Sequence, residues 1–395
     1  MRENLQKLTF GAAVLFFCCY FMRLFAFPNM LTAVLGAALC FVLLIQQNKL
    51  RVDVGTCLLA VTMLSYYVIV NGVGGLLFTI LYIPLIIYVL AQYAVCGNAG
   101  RRNQERNLRI LIFALVAGFA VYGILNSYMW YAGYVVPGTR RWQDFWTKEI
   151  VPGTQHTAYY LPVLTLFVPS VIYFKEHKLR SALLIILTAF FGYSSLATRS
   201  RMSVVIFALA ACLQLVMFVC LEPKKMKKIF TSKVAWITAT AVIAGIAAAV
   251  FFVKDTPVVT AFIENLSKGG GILNNVRFSA QKSALSQLFD YPMGGRQMNL
   301  GRDFCHNTWL DMANAGGLIP FFAFALYTLY TFWELIRFLL KKNITPEVKM
   351  MMTGLYAAFV LYLSVEPALD ASIHLVTPWI FVNGLIHGTN VRDKR

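Results

Sequence analysis

The stretch HNTWLDMANAGGLIPFFAFALYTLYTFWELIRFLL, residues 306–340, decides what kind of protein this is. Residues 307–338 as a single helix would run about 48 Å at about 1.5 Å per residue, against a hydrocarbon core about 30 Å thick. Gly316, Gly317 and Pro320 lie inside it and mark a break. We therefore read 307–315 as a short helix near a membrane interface and 318–338 as the crossing. Irregular backbone at that depth is tolerated only where protein or a water-filled cavity surrounds it. That reasoning sets His306, Asn307, Asp311 and Asn314 beside a cavity. Asn307, Asp311 and Asn314 recur at i, i+4 and i+7, one polar face of a helix.

The rest of the chain repeats the apolar theme. Of 395 residues 59% are hydrophobic and 13% charged, and the mean hydropathy is +0.65. The expected class is all-α, a single polytopic membrane domain over 1–395 with about twelve transmembrane helices. The expected spans are 8–27, 29–46, 54–71, 74–96, 108–130, 156–174, 181–198, 201–221, 234–253, 307–338, 349–366 and 373–388. Two outward loops interrupt them, 131–155 and 254–306. The second is expected to carry an amphipathic helix over 275–289, ending at Asp290-Tyr291-Pro292. Gly269-Gly270-Gly271 lacks the Lys-Ser/Thr of a P-loop and reads as a hinge.

Net charge is +18, which raises the question of nucleic acid. The cations are spread over many short loops, and with both termini inside most of the 35 Lys and Arg fall on the inner side. That is the positive-inside bias, with anionic membrane lipid as partner and no nucleic acid. The exceptions carry the functional signal. Arg140, Arg141, Arg199, Arg201, Arg277, Arg296, Arg302 and His306 all fall on the outer side, where cations are usually few. Arg, with its planar fork, suits bidentate contacts to phosphate better than Lys does. Two of them flank Ser200 at the start of the eighth span, where free backbone N–H groups also favour an anion. His306, at a helix start, feels the positive end of the dipole and is the candidate base.

Seven of the eight cysteines sit within spans and read as packing residues; Cys305 alone lies in an outer loop. The acids Glu366 and Asp370 precede His374 at four-residue spacing, and charge pairing with the outer arginines accounts for them. A site built on His156, His306 or His374 lacks a dense ligand motif such as H-E-x-x-H, so no metal site and no cofactor is expected.

Three of these places, taken in order, resemble the integral-membrane O-antigen ligase and O-antigen (capsular polysaccharide) polymerase family. They are Ser200-Arg201 opening a helix; Arg277 leading a loop helix that ends in Pro292-Met293-Gly294; and His306-Asn307-x-x-Leu310 followed by Gly316-Gly317. The chain has Gly294-Gly295-Arg296 where the family often shows Gly-x-Gly, and it lacks the Trp often found after the loop Arg. The resemblance implies a metal-independent, inverting glycosyltransferase in the bacterial cytoplasmic membrane. It would polymerise repeat units carried on a polyprenyl-diphosphate-linked oligosaccharide at the outer face. Within that implication Arg201, Arg277 and His306 are the catalytic candidates, and Arg199, Arg141, Asn307, Asp311 and Arg296 the substrate-binding ones. A flippase and a chain-length regulator of the same pathway are the expected protein partners. A ligase with a different acceptor, or a lipid-linked sugar transporter, are the alternatives.

Overall fold

The computed structural model describes residues 2–24, 29–71, 78–96, 101–137, 139–231, 276–367 and 373–391. The expected span 234–253, the glycine run 269–271, the first part of the loop 254–306 and Asp370 lie outside them. The helices are α1 (Arg2–Phe21), α2 (Asn29–Gln47), α3 (Val54–Asn71), α4 (Phe78–Cys96) and α5 (Arg101–Tyr131). A hairpin of β1 (Arg141–Gln143) and β2 (Ile150–Pro152) precedes three short helices, α6 (Gly153–Ala158), α7 (Leu161–Thr165) and α8 (Phe167–Ile172). Then come α9 (Lys178–Ala197), α10 (Arg201–Leu221) and α11 (Pro223–Thr231). After the undescribed stretch follow α12 (Val276–Ser286), α13 (Thr308–Gly316), α14 (Leu318–Leu339), α15 (Pro346–Leu363) and α16 (Thr377–Asn390), with a 3₁₀ turn at Ile373–Leu375.

The class is all-α apart from the hairpin, but the expected count of about twelve spans is corrected. Among the described residues five helices are long and apolar enough to cross a membrane: Asn4–Phe21, Gln104–Tyr131, Lys178–Ala197, Arg201–Leu221 and Leu318–Leu339. Three more apolar helices, Leu31–Gln47, Val54–Val70 and Tyr82–Cys96, are shorter. The reasons are local. Pro162 and Pro169 remove N–H donors and divide the expected span 156–174 into α6, α7 and α8. α15 puts Glu347 and Lys349 in its opening turn, and α16 has only 14 residues. Five such helices still make this a multi-pass membrane protein.

Apolar side chains cover the outside of the bundle as well as its core. Leu179, Leu183 and Ile186 on α9 and Val205, Leu209 and Val216 on α10 are exposed, the pattern of a lipid-facing helix rather than of a half-wetted one. Inside, Trp379 of α16 is fully buried among Phe324 and Tyr327 of α14 and Tyr356 of α15, at ring separations of 5.6, 5.4 and 6.2 Å. Lipid tails are as apolar as these rings, so close packing rather than expulsion from water holds the helices together. Gly384 and Gly388, one turn apart on α16, make that contact tight. A Cβ on either would lie 2.5 Å from Tyr88 O or 2.8 Å from Gln92 Cα of α4.

Polar networks tie the bundle at the end where α5, α9 and α15 begin. Arg109 of α5 and Arg180 of α9 both pair with buried Glu347 of α15, and His177 Nε2 stands 3.5 Å from it. Close by in chain direction, His387 Nε2 meets Asp53 Oδ2 at 2.6 Å and its Nδ1 faces Glu334 Oε2 at 3.5 Å. With these pairs satisfied at one end, the other end is left to carry a different group of charges.

Candidate functional site

The stretch 306–340 breaks at Gly317, which adopts φ 80° and separates α13 from α14. The turn after α12 is built into this break. Leu318 N donates to Pro292 O at 2.9 Å, Gly295 N to Ala315 O at 3.0 Å, and Arg296 N to Asn314 O at 2.7 Å. A Cβ on Gly317 would lie 2.3 Å from Pro292 O, so backbone approaches backbone where only glycine fits. The Pro-x-Gly-Gly segment and the Gly-Gly segment, 20-odd residues apart in the chain, are thus two halves of one joint. The expected helix over 275–289 is α12, three residues shorter at its end.

The joint fixes the start of α13. Asn307 is its N-cap, with Oδ1 accepting from Leu310 N at 3.2 Å. Asp311 reaches back from the first turn, accepting from Cys305 N at 2.6 Å and Asn307 N at 3.0 Å. Both Asp311 oxygens therefore serve the backbone that presents His306, which is held at φ 57°. Asn314 likewise serves the joint: its Oδ1 accepts from Met298 N at 3.3 Å.

The unwound end of α15 gathers the rest. Ser364 O accepts from Asn307 Nδ2 at 3.3 Å and from Gln281 Nε2 at 3.4 Å, and Val365 O accepts from Arg277 Nη1 at 2.9 Å. Glu366 O accepts from Thr308 Oγ1 at 2.9 Å. These are the orphan carbonyls of a helix C-terminus, here satisfied by side chains of α12 and α13. The Glu366 carboxylate is the centre. Its Oε1 accepts from Arg277 Nη1 at 2.9 Å, and its Oε2 lies 3.6 Å from His306 Nδ1. That nitrogen is buried and has no hydrogen-bond partner among the described residues.

The junction of α9 and α10 supplies the second wall. Arg199 stands at φ 55°, and Arg201 begins α10. Ser200 Oγ bonds the hydroxyls of Thr157 and Ser203, both at 2.9 Å, which stitches the junction to α6. From the hairpin, Arg140 Nη1 donates to Arg199 O at 3.2 Å. Burial and the positive charges of Arg201, Arg277 and Arg199 push the Arg140 guanidinium below its usual pKa, against a smaller opposing effect of Glu366. Those five side chains thus share one electrostatic neighbourhood, drawn from the hairpin, α10, α12 and the end of α15. Among the described residues this neighbourhood brings four arginines and one carboxylate together.

The hairpin is itself anchored. Asp144 Oδ1 accepts from Trp146 N at 2.9 Å and Thr147 N at 3.0 Å, while Tyr122 of α5 donates to Oδ2 and Arg23 stands 3.7 Å away. Although burial opposes it, these contacts hold the Asp144 carboxyl below the usual carboxylate range. Trp142 is fully buried with its ring stacked on His156 at 4.3 Å.

Of the sequence candidates, Arg201, Arg277 and Arg199 lie within electrostatic reach of Arg140, and His306 shares Glu366 with Arg277. Asn307 and Asp311 shape the start of α13 through their backbone contacts. Arg141 lies on the hairpin next to Arg140, and Arg296 lies over the ring of Phe304 at 5.7 Å. Arg140 and Glu366 are the two members that the sequence did not single out as site residues. Arg140 precedes β1 and is exposed, as Arg141 is, so no pattern in the sequence sets the two apart. Among the described residues no three His, Cys, Asp or Glu side chains gather as a metal site would require. No family model, curated protein or solved structure matches the chain.

Proposed function

We propose that this protein is a membrane glycosyltransferase that polymerises repeat units from a polyprenyl-diphosphate-linked oligosaccharide. The observation that carries the reading is the single carboxylate of Glu366 facing both a guanidinium, Arg277, and an imidazole, His306. Glycan transfer from a diphosphate needs those two functions side by side. In the proposed step the acceptor hydroxyl oxygen attacks the anomeric carbon as its bond to the phosphate oxygen breaks. The polyprenyl diphosphate leaves with the electron pair, and the hydroxyl proton passes to His306. Arg201 and Arg277, with Arg140 and Arg199 behind them, meet the charge that grows on the leaving oxygen. Glu366 orients both groups: facing Nδ1, it favours the tautomer in which Nε2 accepts the proton and stabilises the imidazolium that results. Attack opposite the diphosphate inverts the anomeric centre. No step calls for a metal or cofactor.

In this reading the protein lies in a bacterial cytoplasmic membrane with both termini cytoplasmic and the site at the outer face. The test is direct. Purified protein given only the polyprenyl-diphosphate oligosaccharide is expected to yield a ladder of products. Product only after a different acceptor is added points to a ligase, and no product with either removes the transferase reading.

A further inference from the structure

Arg140 also lines a cleft of about 250 Å³, together with Thr139, Arg141, Thr154, Thr198 and Ser200. None of its described lining residues is acidic. Its floor is rigid: Gly153 N donates to Arg140 O at 2.7 Å, and a Cβ on Gly153 would lie 2.6 Å from the Trp142 ring. The volume equals that of roughly eight waters at about 30 Å³ each, enough for one sugar ring.

The polar groups around it offer two kinds of contact. Thr139 Oγ1 donates to Val136 O at 2.9 Å and Thr198 Oγ1 to Ser194 O at 2.8 Å. Arg141 N donates to Thr139 Oγ1 at 3.2 Å; with their own protons committed to the backbone, each oxygen still has a lone pair to offer, which suits the O–H donors of a sugar. The arginines offer the opposite. Arg140 gives one N–H to Arg199 O, and among the described residues its other side-chain donors are unused. Arg141 is exposed at the rim, on a strand held in register by Trp142 and Val151. Acceptors for hydroxyls, next to forked donors and with no carboxylate among the described lining residues, describe a site for a hydroxylated ring that bears a negative charge.

We propose that this cleft binds an acidic sugar of the glycan, a pyranose carrying a carboxylate or a phosphate. The proposal rests on the glycan-transfer reading of the neighbouring site. It adds that Arg141 serves the sugar, while Arg201 and Arg277 serve the diphosphate.

The test uses the full chain in nanodiscs of neutral lipid, titrated calorimetrically with glucuronate, glucose 6-phosphate, glucose and, separately, inorganic pyrophosphate. At least one acidic sugar is expected to bind about tenfold more tightly than glucose, the scale of one charged hydrogen-bonded contact. Which of the two gains the advantage distinguishes a carboxylate from a phosphate ligand. Arg141→Gln is expected to remove most of that preference without lowering the melting temperature, since the side chain is exposed. If the melting temperature does fall, the preference is read on Arg141→Lys, which keeps charge but loses the fork. Glucose binding as tightly as both acidic sugars overturns the proposal, and so does a preference undiminished in both variants. Failure of pyrophosphate alone counts against the transferase reading and leaves the cleft standing.

Discussion

Arg277 and Glu366, 89 residues apart, are joined by a 2.9 Å hydrogen bond that closes α12 onto the end of α15. The same carboxylate faces His306 with its second oxygen, so one acid positions two groups of opposite duty.

Glu366→Gln keeps the shape and removes the charge. We expect kcat to fall by about 10- to 100-fold, with donor binding changed less, because the His306 imidazolium loses its counter-charge. A purely structural Glu366 would instead show as a lower melting temperature, with kcat kept in the folded protein.

For His306→Ala the expected result is loss of turnover by about 10²- to 10⁴-fold with the polyprenyl-diphosphate donor still bound. Polymer yield and chain length unchanged in cells carrying this variant would sink the assignment of His306 as base. A transporter would tolerate the change.

Arg201→Lys and Arg277→Lys preserve charge but lose the planar fork. Each is expected to cost about 10- to 100-fold in kcat/KM, measured on the purified polymerisation reaction. Full activity in both variants would remove the bidentate diphosphate argument.

Gly317→Ala places a Cβ against Pro292 O in a backbone conformation, φ 80°, that alanine resists. A loss of about 1–3 kcal/mol is expected, read as a lower melting temperature. Gly133, at φ 85°, has open space around it, so Gly133→Ala should show only the smaller conformational cost.

The hairpin should show a pH dependence of known sign. Asp144 has a folded pKa below its ordinary value, so its contribution is complete above the unfolded pKa of about 3.9. It is lost as pH falls through the lower folded value. Protease nicking of residues 131–155 should therefore stay slow down to about pH 4 and accelerate below it. Asp144→Asn should bring fast nicking to neutral pH, because Trp146 and Thr147 N–H groups and Arg23 lose the charge they bond.

The amino-acid sequence by itself determined the apolar character, the helical class, the break at Gly316-Gly317 and the loop helix, because each follows from local composition and from residues that break or cap helices. It also marked Arg201, Arg277 and His306, whose placement among apolar helices needs a reason. The number of long crossings was not legible. Hydropathy averages over a window and passes over Pro162, Pro169 and the charged first turn of α15, which set where helices stop. Nor could spacing choose Arg140 over Arg141, since the choice depends on a hairpin register fixed by Trp142 packing on His156. The meeting of Arg277 with Glu366 was decided by tertiary structure alone. It requires α12 to dock on the unwound carbonyls of α15, a contact across 89 residues that no local periodicity encodes.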